Sequence, residues 1–322
     1  ISPERQGSEG LAAGPLQEAP MSINPLTYAT PGIPHLPIIG DRVDDKFIAA
    51  SGLLGSDVGK FVVIDPIAET IDAFQITPPS GGSLERGAFG TPDASSLWCC
   101  WRSNSNNSVP MVVGRLWLDG TTDAWSSGFV FGGIPVTPAP VLVGSMLWCM
   151  GVSGSHAPRL WDTATKAPVA SSFAAFTGMG QPFYDPTTDK VYQWTSGGTL
   201  YQFDGTTGTR TTVHTGGVYP NDYSQAAASA SGRIVRWTTN AGTAVLELDL
   251  DAVTVNSVAV GTTFERSLAI DPDGQWSSVK GNGTIVGWDP VRGVPWSEPI
   301  AHTGAVATRM AWVAGRRVGV VR

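Results

Sequence analysis

The stretch Tyr201-Gln-Phe-Asp204 ends a strand-like run in an aspartate, and a short turn then leads into the next strand-like run. The same arrangement occurs six times along the chain. Its aspartates are Asp65, Asp119, Asp162, Asp204, Asp249 and Asp289. Successive aspartates lie between 40 residues (289−249) and 54 residues (119−65) apart. A spacing of about 43 residues in an all-strand pattern is typical of the blades of a β-propeller, each of which is a small four-stranded sheet.

The strand-like runs occur as alternating pairs, which predict the order of strands within each blade. Third and fourth strands are predicted near 60–76, 113–127, 158–171, 199–213, 244–258 and 284–298. First and second strands are predicted near 86–101, 140–151, 181–195, 225–238, 266–279 and 308–321. We therefore predict an all-β, six-bladed propeller over residues 59–322, in which the pairs at 60–76 and 308–321 share one blade and close the ring. The alternative is a seven-bladed ring, in which 36–39 and 47–50 form an additional first pair.

Composition agrees with this fold class and limits the possible partners. The 322 residues include 39 Gly, 24 Pro and 12 Trp, and only 15% are charged, as expected for many short strands joined by turns. The net charge of −7 makes nucleic acid an unfavourable partner, because phosphate would be repelled. No apolar run has the length of a membrane span. Cys99, Cys100 and Cys149 are expected to be buried free thiols.

Residues 1–58 differ from the rest of the chain. They are rich in Pro and small polar residues, for example in Pro31-Gly-Ile-Pro-His-Leu-Pro37, which predicts an extended arm with little core of its own. Such an arm can attach the domain to other protein subunits of an assembly. The visible N-terminus does not favour secretion, so we expect a virion protein or a protein assembled in the cytoplasm.

The six repeated aspartates are interpreted as turn-formers, because an Asp side chain accepts hydrogen bonds from backbone amides two or three residues further on. No phosphate-binding loop, nucleophile elbow or metal-ligand spacing is present in the sequence. We therefore expect no catalytic residues, no metal and no cofactor. Strand residues Trp98, Trp148, Trp194, Trp237 and Trp276 are expected to pack between blades; exposed Trp rings that bind sugar are the alternative.

The longest insertion predicts a contact surface. Residues 102–112 lengthen the connection between the second and third strands of one blade, and insertions in repeat folds often lie on the binding face. Within it, Asn104, Asn106, Asn107 and Met111 are the candidate interaction residues.

One segment resembles the repeats of quinoprotein-like and YVTN-type β-propellers, which have the pattern aromatic-x-x-Asp-x-x-Thr-Gly. The matching residues are Tyr201, Asp204, Thr207 and Gly208. The pattern is incomplete elsewhere, since Asp162 is followed by Thr-Ala-Thr-Lys166 without the glycine. The resemblance implies the propeller fold, but the cofactor-binding residues of that family have no counterparts here.

The organisation of the chain is also similar to that of tailed-phage virion proteins, which join an N-terminal anchoring arm to a β domain. We therefore expect a non-enzymatic structural or binding module of a larger assembly, such as a phage tail or capsid-associated protein, which contacts a partner or a surface glycan. One alternative is a carbohydrate-active enzyme or lectin with its site at the propeller mouth, for which Asp123, Asp222, Glu247 and Glu265 are the candidate acids. The other alternative is a cytoplasmic protein-interaction scaffold.

Overall fold

The computed structural model describes residues 38–51, 59–80, 84, 87–102, 109–130, 137–152, 154–171, 173–229, 231–264, 267–280, 284–299 and 307–321. These residues are all-β, with 26 strands. The strands of the first three groups are β1 (Ile38–Val43), β2 (Lys46–Ser51), β3 (Lys60–Asp65), β4 (Thr70–Gln75), β5 (Gly90–Pro92), β6 (Ser96–Trp101), β7 (Val112–Trp117), β8 (Thr122–Ser126), β9 (Thr137–Val143), β10 (Met146–Val152), β11 (Arg159–Asp162) and β12 (Pro168–Val169).

The remaining strands continue the same pattern to the end of the chain. They are β13 (Gly178–Asp185), β14 (Lys190–Thr195), β15 (Thr199–Asp204), β16 (Arg210–Thr215), β17 (Ala227–Ala228), β18 (Ile234–Thr238), β19 (Ala244–Asp249), β20 (Thr254–Ala259), β21 (Ala269–Ile270), β22 (Trp276–Lys280), β23 (Thr284–Asp289), β24 (Val294–Pro299), β25 (Ala307–Val313) and β26 (Arg316–Val321).

Each set of four consecutive strands from β1 to β24 forms an antiparallel meander, numbered here 1 to 6. Meanders 3 and 4 are continuous as one eight-stranded sheet, because β10 and β13 share a single parallel pair, Val152 with Gly178. Strands β25 and β26 form a separate two-stranded sheet, the C-terminal hairpin. Successive units contact one another around a closed circuit, in which β25 packs against both β21 and β1. The arrangement is propeller-like, as the repeat predicts.

Two details of the predicted architecture are wrong. The strands at 60–75 do not pair with the C-terminal hairpin; β3 pairs instead with β2, so that β1 to β4 complete a sheet of their own. Residues 38–51, predicted as part of the arm, are therefore the first two strands of meander 1. The apolar residues Phe47, Ile48, Ala49 and Ala50 explain why, since all four are fully buried in this position.

The core consists of apolar layers between neighbouring sheets. Trp148, Trp194, Trp237 and Trp276 are at most 1% exposed and Trp98 is 3% exposed, so these rings are packing residues and the sugar-binding alternative for them is wrong. Trp194 and Trp237, from meanders 4 and 5, meet edge to face with ring centroids 6.2 Å apart. The three cysteines are buried free thiols, as predicted.

Candidate functional site

The six repeated aspartates all make turns. In each turn the side-chain Oδ1 accepts hydrogen bonds from backbone amides two or three residues further on. The donors are Ile67 and Ala68 to Asp65, Thr121 to Asp119, Ala164 and Thr165 to Asp162, Thr207 to Asp204, Asp251 and Ala252 to Asp249, and Val291 and Arg292 to Asp289. These carboxylates organise the bends between the third and fourth strands.

Cross-strand lysines support two of these turns. Lys46 lies 3.0 Å from Asp65, and Lys190 forms the equivalent ion pair with Asp204. The Lys190 hydrogen bond, together with the donors from Thr207, holds the pKa of Asp204 well below its usual range. A carboxylate that stays ionised while it accepts three donors is suited to hold a turn rather than to exchange protons.

The structure corrects the predicted interaction loop at one position. Asn104, Asn106 and Asn107 lie outside the described residues. Met111 is 1% exposed and packs in the apolar layer between meanders 2 and 3, where the Cys149 thiol contacts its sulfur at 3.7 Å. An apolar thioether at the start of β7 is more stable in that layer than in water, so Met111 is a core residue.

One half of the ring centre is closed by side chains. Phe89, fully buried before β5, packs with Ala139 and Val152 of meander 3, and Tyr223 covers them. The side-chain amide of Gln181 on β13 donates to the carbonyl oxygen of Gly90 on β5 at 2.8 Å. The first strands of meanders 2, 3 and 4 are therefore in direct contact near the axis.

The other half of the centre contains a cavity of about 310 Å³, the axial cavity. It lies among β1, β17, β21 and β25, which are the first strands of meanders 1, 5 and 6 and of the C-terminal hairpin. Alanines supply much of its wall, at positions Ala226, Ala227, Ala228, Ala269 and Ala311. Short side chains leave this space open, whereas Phe89 and Gln181 fill the opposite half.

Gln225 is the most unusual polar group in the wall of the axial cavity. Its residue is 4% exposed, yet its carboxamide oxygen has no hydrogen-bond partner among the described residues. A buried acceptor without a donor costs about 1–3 kcal/mol of stability. Native proteins rarely leave a buried acceptor unpaired, and a hydrogen-bond donor on a bound molecule would satisfy this oxygen.

Asp271 lines the cavity at the end of β21 and is 5% exposed. Its Oδ1 accepts the Gln275 amide at 2.8 Å, and its carbonyl oxygen accepts the Gly274 amide at 2.9 Å. Gly274 has a φ of +81°, which glycine adopts without strain. The Asp271-Pro-Asp-Gly274 turn thus fixes a buried carboxylate in the cavity wall.

Meander 1 and the hairpin supply the remaining polar and aromatic groups. Asp41 and Arg42 come from β1, and Trp312 comes from β25 beside Met310. The Arg42 guanidinium is exposed, and its Nε donates to the carbonyl oxygen of Asp44 at 2.7 Å. The residues around the cavity therefore include Asp41, Arg42, Gln225, Asp271 and Trp312 among a largely aliphatic lining.

The acids proposed from the sequence for a glycosidase are not those that line this cavity. Asp123 pairs with Lys166 at 2.7 Å on the periphery, and Glu247 pairs with Arg236 at 2.6 Å across β18 and β19. Asp222 lies in the connection from β16 to β17, and Glu265 lies outside the described residues. The cavity contains Asp41 and Asp271 instead.

The cavity is not visible in the sequence, because its residues come from four distant segments. The detectable signal was the run Gln225-Ala-Ala-Ala-Ser229, where a first strand carries alanines in place of larger apolar residues. In the part of the chain that the structure describes, no group of three His, Cys, Asp or Glu residues is arranged to hold a metal ion. The described residues also contain no helix that is long and apolar enough to cross a membrane.

Comparison with known proteins assigns no family. No protein-family model matches the chain, and no curated protein matches it significantly. The axial cavity is therefore the feature of the molecule that bears most directly on its function.

Proposed function

We propose that this chain is a non-enzymatic binding module of a larger assembly, and that its axial cavity binds a hydroxyl-bearing unit of a glycan. The observation that carries the proposal is Gln225, a residue that lines the cavity and whose buried carboxamide oxygen has no hydrogen-bond partner among the described residues. A sugar hydroxyl would supply the donor that this oxygen lacks, provided that binding turns the carboxamide towards the cavity.

The other groups of the wall suit the same ligand class. Sugar hydroxyls both donate and accept, so they can donate to the Asp271 and Asp41 carboxylates and accept from Arg42. The apolar faces of a sugar ring complement Trp312 and the aliphatic lining.

The size of the cavity points to one or two sugar units. Its volume of about 310 Å³ is near the lower end of the 300–1,000 Å³ that is typical of small-molecule sites. A longer glycan would place one terminal unit in the axial cavity and extend across the adjacent turns.

A glycan array probed with the full chain and with Gln225→Met tests this proposal. Met has nearly the same shape but no acceptor, so folding should be retained while the affinity for bound glycans falls about tenfold. Asp273→Asn is the matched control, since Asp273 is exposed in the neighbouring turn and does not line the cavity. Equal binding by wild type and Gln225→Met, or no glycan binding at all, would reject the proposal.

A glycosidase is the second candidate, because two carboxylates, Asp41 and Asp271, line the same cavity. Glycoside hydrolysis requires two carboxyl groups about 5–10 Å apart, one of which acts as an acid. Incubation of array-positive glycans with the protein would release reducing ends if the candidate is correct. Loss of that release in both Asp41→Asn and Asp271→Asn would establish hydrolysis; intact glycans would support the binding module.

For the assembly we propose a phage virion, on the basis of the Pro-rich segment that precedes the ring. Because residues 38–51 are strands of meander 1, the segment left for contact with other subunits is 1–37. A pull-down from the native source, with the full chain and with residues 38–322, should recover particle proteins with the full chain alone. Recovery of soluble cellular proteins by both would favour the cytoplasmic scaffold.

A further inference from the structure

Arg159 has an unusual environment at the boundary between meanders 2 and 3. It is the first residue of β11 and is partly buried, and its guanidinium carbon lies 3.7 Å from the centre of the Phe129 ring. Its Nε atom is fully enclosed and has no hydrogen-bond partner among the described residues. Burial lowers the pKa of Arg159, with no contribution from a carboxylate of those residues. Arginine nevertheless stays protonated in proteins, so a shielded positive charge is left here without a counter-charge.

Other stacked arginines show what this position lacks. Elsewhere in the described residues, the arginines that stack on aromatic rings are Arg115, Arg210 and Arg236. The first and the last are shielded from water, and each has a carboxylate in contact, Asp93 at 2.7 Å and Glu247 at 2.6 Å. Arg210 is exposed, so water can solvate its charge. Arg159 is shielded but has no such carboxylate, and an anion from solution would take the place of one.

Neighbouring groups fix the ring on which the guanidinium lies. Arg159 and Trp161 are two residues apart on β11 and so point to the same face, where the Trp161 indole donates to the carbonyl oxygen of Ser127 at 3.3 Å. The Phe129 amide donates to the Ser127 hydroxyl at 3.1 Å, and the Phe129 carbonyl oxygen accepts the Met111 amide at 2.8 Å. A stacked guanidinium keeps its N–H donors at its edge, in a planar fork that matches two oxygens of one anion.

Two further basic residues lie close to Arg159. His156, three residues earlier, exchanges backbone hydrogen bonds of 3.1 and 3.2 Å with Phe176. Arg102 directly follows β6 and is 4% exposed. Burial lowers the pKa of His156, and the positive charges of Arg159 and Arg102 lower it further. Three basic side chains from meanders 2 and 3 therefore converge, and no carboxylate of the described residues offsets their effect on His156.

We propose that Arg159, His156 and Arg102 form a binding site for one oxyanion, which is the sulfate, phosphate or carboxylate group of an acidic ligand. The fork of Arg159 binds two oxygens of the group, and the other two residues add positive charge. On a chain with a net charge of −7, this local concentration of basic groups attracts anions to one place. None of the three residues lines the axial cavity, so the site is separate from the one proposed for a glycan.

Anion binding at this site is coupled to the protonation of His156. A bound anion offsets the positive charge beside the imidazole, so the pKa of His156 rises on binding. By linkage, the affinity for the anion rises as the pH falls through the pKa of His156. A purely structural role of Arg159 would produce neither effect.

Nuclear magnetic resonance on the full chain tests the proposal with inorganic sulfate and, separately, with acetate, at an ionic strength held constant with sodium chloride. We expect saturable shifts of the His156 ring and Arg159 Nε–H signals and a higher pKa of His156 at saturation. Sulfate should bind more tightly at about pH 5.5 than at about pH 7.5, on either side of the usual histidine pKa. Preference for sulfate at neutral pH would assign a sulfated or phosphorylated ligand, and preference for acetate a carboxylated one.

Variants of Arg159 separate its charge from its shape. In Arg159→Gln the affinity for sulfate should fall at least about tenfold, and the pKa of His156 without anion should rise because a repelling charge is lost. Arg159→Lys keeps the charge and loses the fork, so it should retain the low pKa of His156 and still bind sulfate more weakly than wild type. Arg210→Gln is the matched control, since Arg210 also stacks on a ring, that of Tyr201, and should change neither property. Dispersed tryptophan indole signals report that each variant is folded.

Three results would overturn the proposal. The first is the absence of saturable shifts at His156 and Arg159 of the wild-type chain with either anion. The second is binding of sulfate by folded Arg159→Gln that is as tight as binding by wild type. The third is a pKa of His156 that is the same with and without saturating sulfate. None of these results depends on glycan binding in the axial cavity.

Discussion

The side-chain amide of Gln181 donates to the carbonyl oxygen of Gly90 at 2.8 Å, and so joins the first strand of meander 4 directly to that of meander 2. The same side chain accepts the Ala226 amide at 3.2 Å, on the connection that leads into meander 5. One residue that is 7% exposed therefore connects three units of the ring near its axis. The axial cavity lies in the half of the centre that has no such residue.

Replacement of Gln181 by Leu should destabilise the whole ring. The buried Gly90 carbonyl and the Ala226 amide would lose a partner, which costs about 2–4 kcal/mol in the free energy of unfolding. Gln202→Leu, at a half-buried position on β15, is the control and should cost much less. Chemical denaturation followed by tryptophan fluorescence measures both, and equal stability of Gln181→Leu and wild type would contradict the role given to Gln181.

Alanine substitutions at Gly198 and Gly274 distinguish the backbone cost of positive φ from the steric cost of an added Cβ. Both have φ near +80° (75° and 81°), so Ala at either position carries a backbone cost of about 1–2 kcal/mol. A Cβ at Gly198 would also collide with the Gly216 carbonyl, whereas nothing lies within 4 Å of a Cβ at Gly274. Gly198→Ala should therefore unfold at a clearly lower denaturant concentration than Gly274→Ala. Equal midpoints would show that the turn at 196–198 relaxes freely.

The Lys190–Asp204 pair should make stability depend on pH in the acid range. The pKa of Asp204 is lowered in the folded state, so its contribution is complete above the unfolded-state pKa of about 4 and is lost as the pH falls through the lower folded-state value. Asp204→Asn should be less stable than wild type at pH 7, and the difference should shrink below pH 4. Thermal unfolding at several pH values measures this, and a constant difference from pH 7 to pH 2 would be inconsistent with it.

Met111 should matter for stability and not for binding. Met111→Ala would leave a cavity between meanders 2 and 3, at a cost of about 2–5 kcal/mol. Val291→Ala, at a position 87% exposed, should change stability by less than about 0.5 kcal/mol. Unchanged glycan binding by folded Met111→Ala would agree with its position in the core. A loss of binding without a loss of stability would indicate instead that Met111 is a surface residue that contacts the ligand.

The repeat in the sequence predicted most of the fold because it reflects local chemistry. An aspartate that accepts amides two residues on acts within one turn, so five of the six third strands end at the repeated aspartate, and β7 ends two residues before Asp119. The main prediction did not pair β2 with β3, because strand pairing depends on which strand lies nearest in space. The alternative with an additional first pair at 36–39 and 47–50 did place strands where β1 and β2 occur.

The candidate site was beyond sequence analysis for a related reason. Asp41, Gln225, Asp271 and Trp312 approach one another only when the ring has closed, and no spacing along the chain connects them. Gln225 is notable because its carboxamide oxygen has no hydrogen-bond partner in the described part of the chain, a property that no sequence pattern encodes. The alanines of β17 were visible in the sequence, but an alanine leaves a cavity only where the opposite strands also carry small residues.

The side-chain amide resonances of Gln225, observed by nuclear magnetic resonance while array-positive glycans are titrated into the full chain, test the central claim most directly. If a sugar hydroxyl donates to the carboxamide oxygen, the Gln225 signals should shift in a saturable manner, with those of the Trp312 indole, while Gln202 stays unchanged. Shifts confined to other residues, with Gln225 unaffected at saturation, would contradict the assignment of the axial cavity as the binding site.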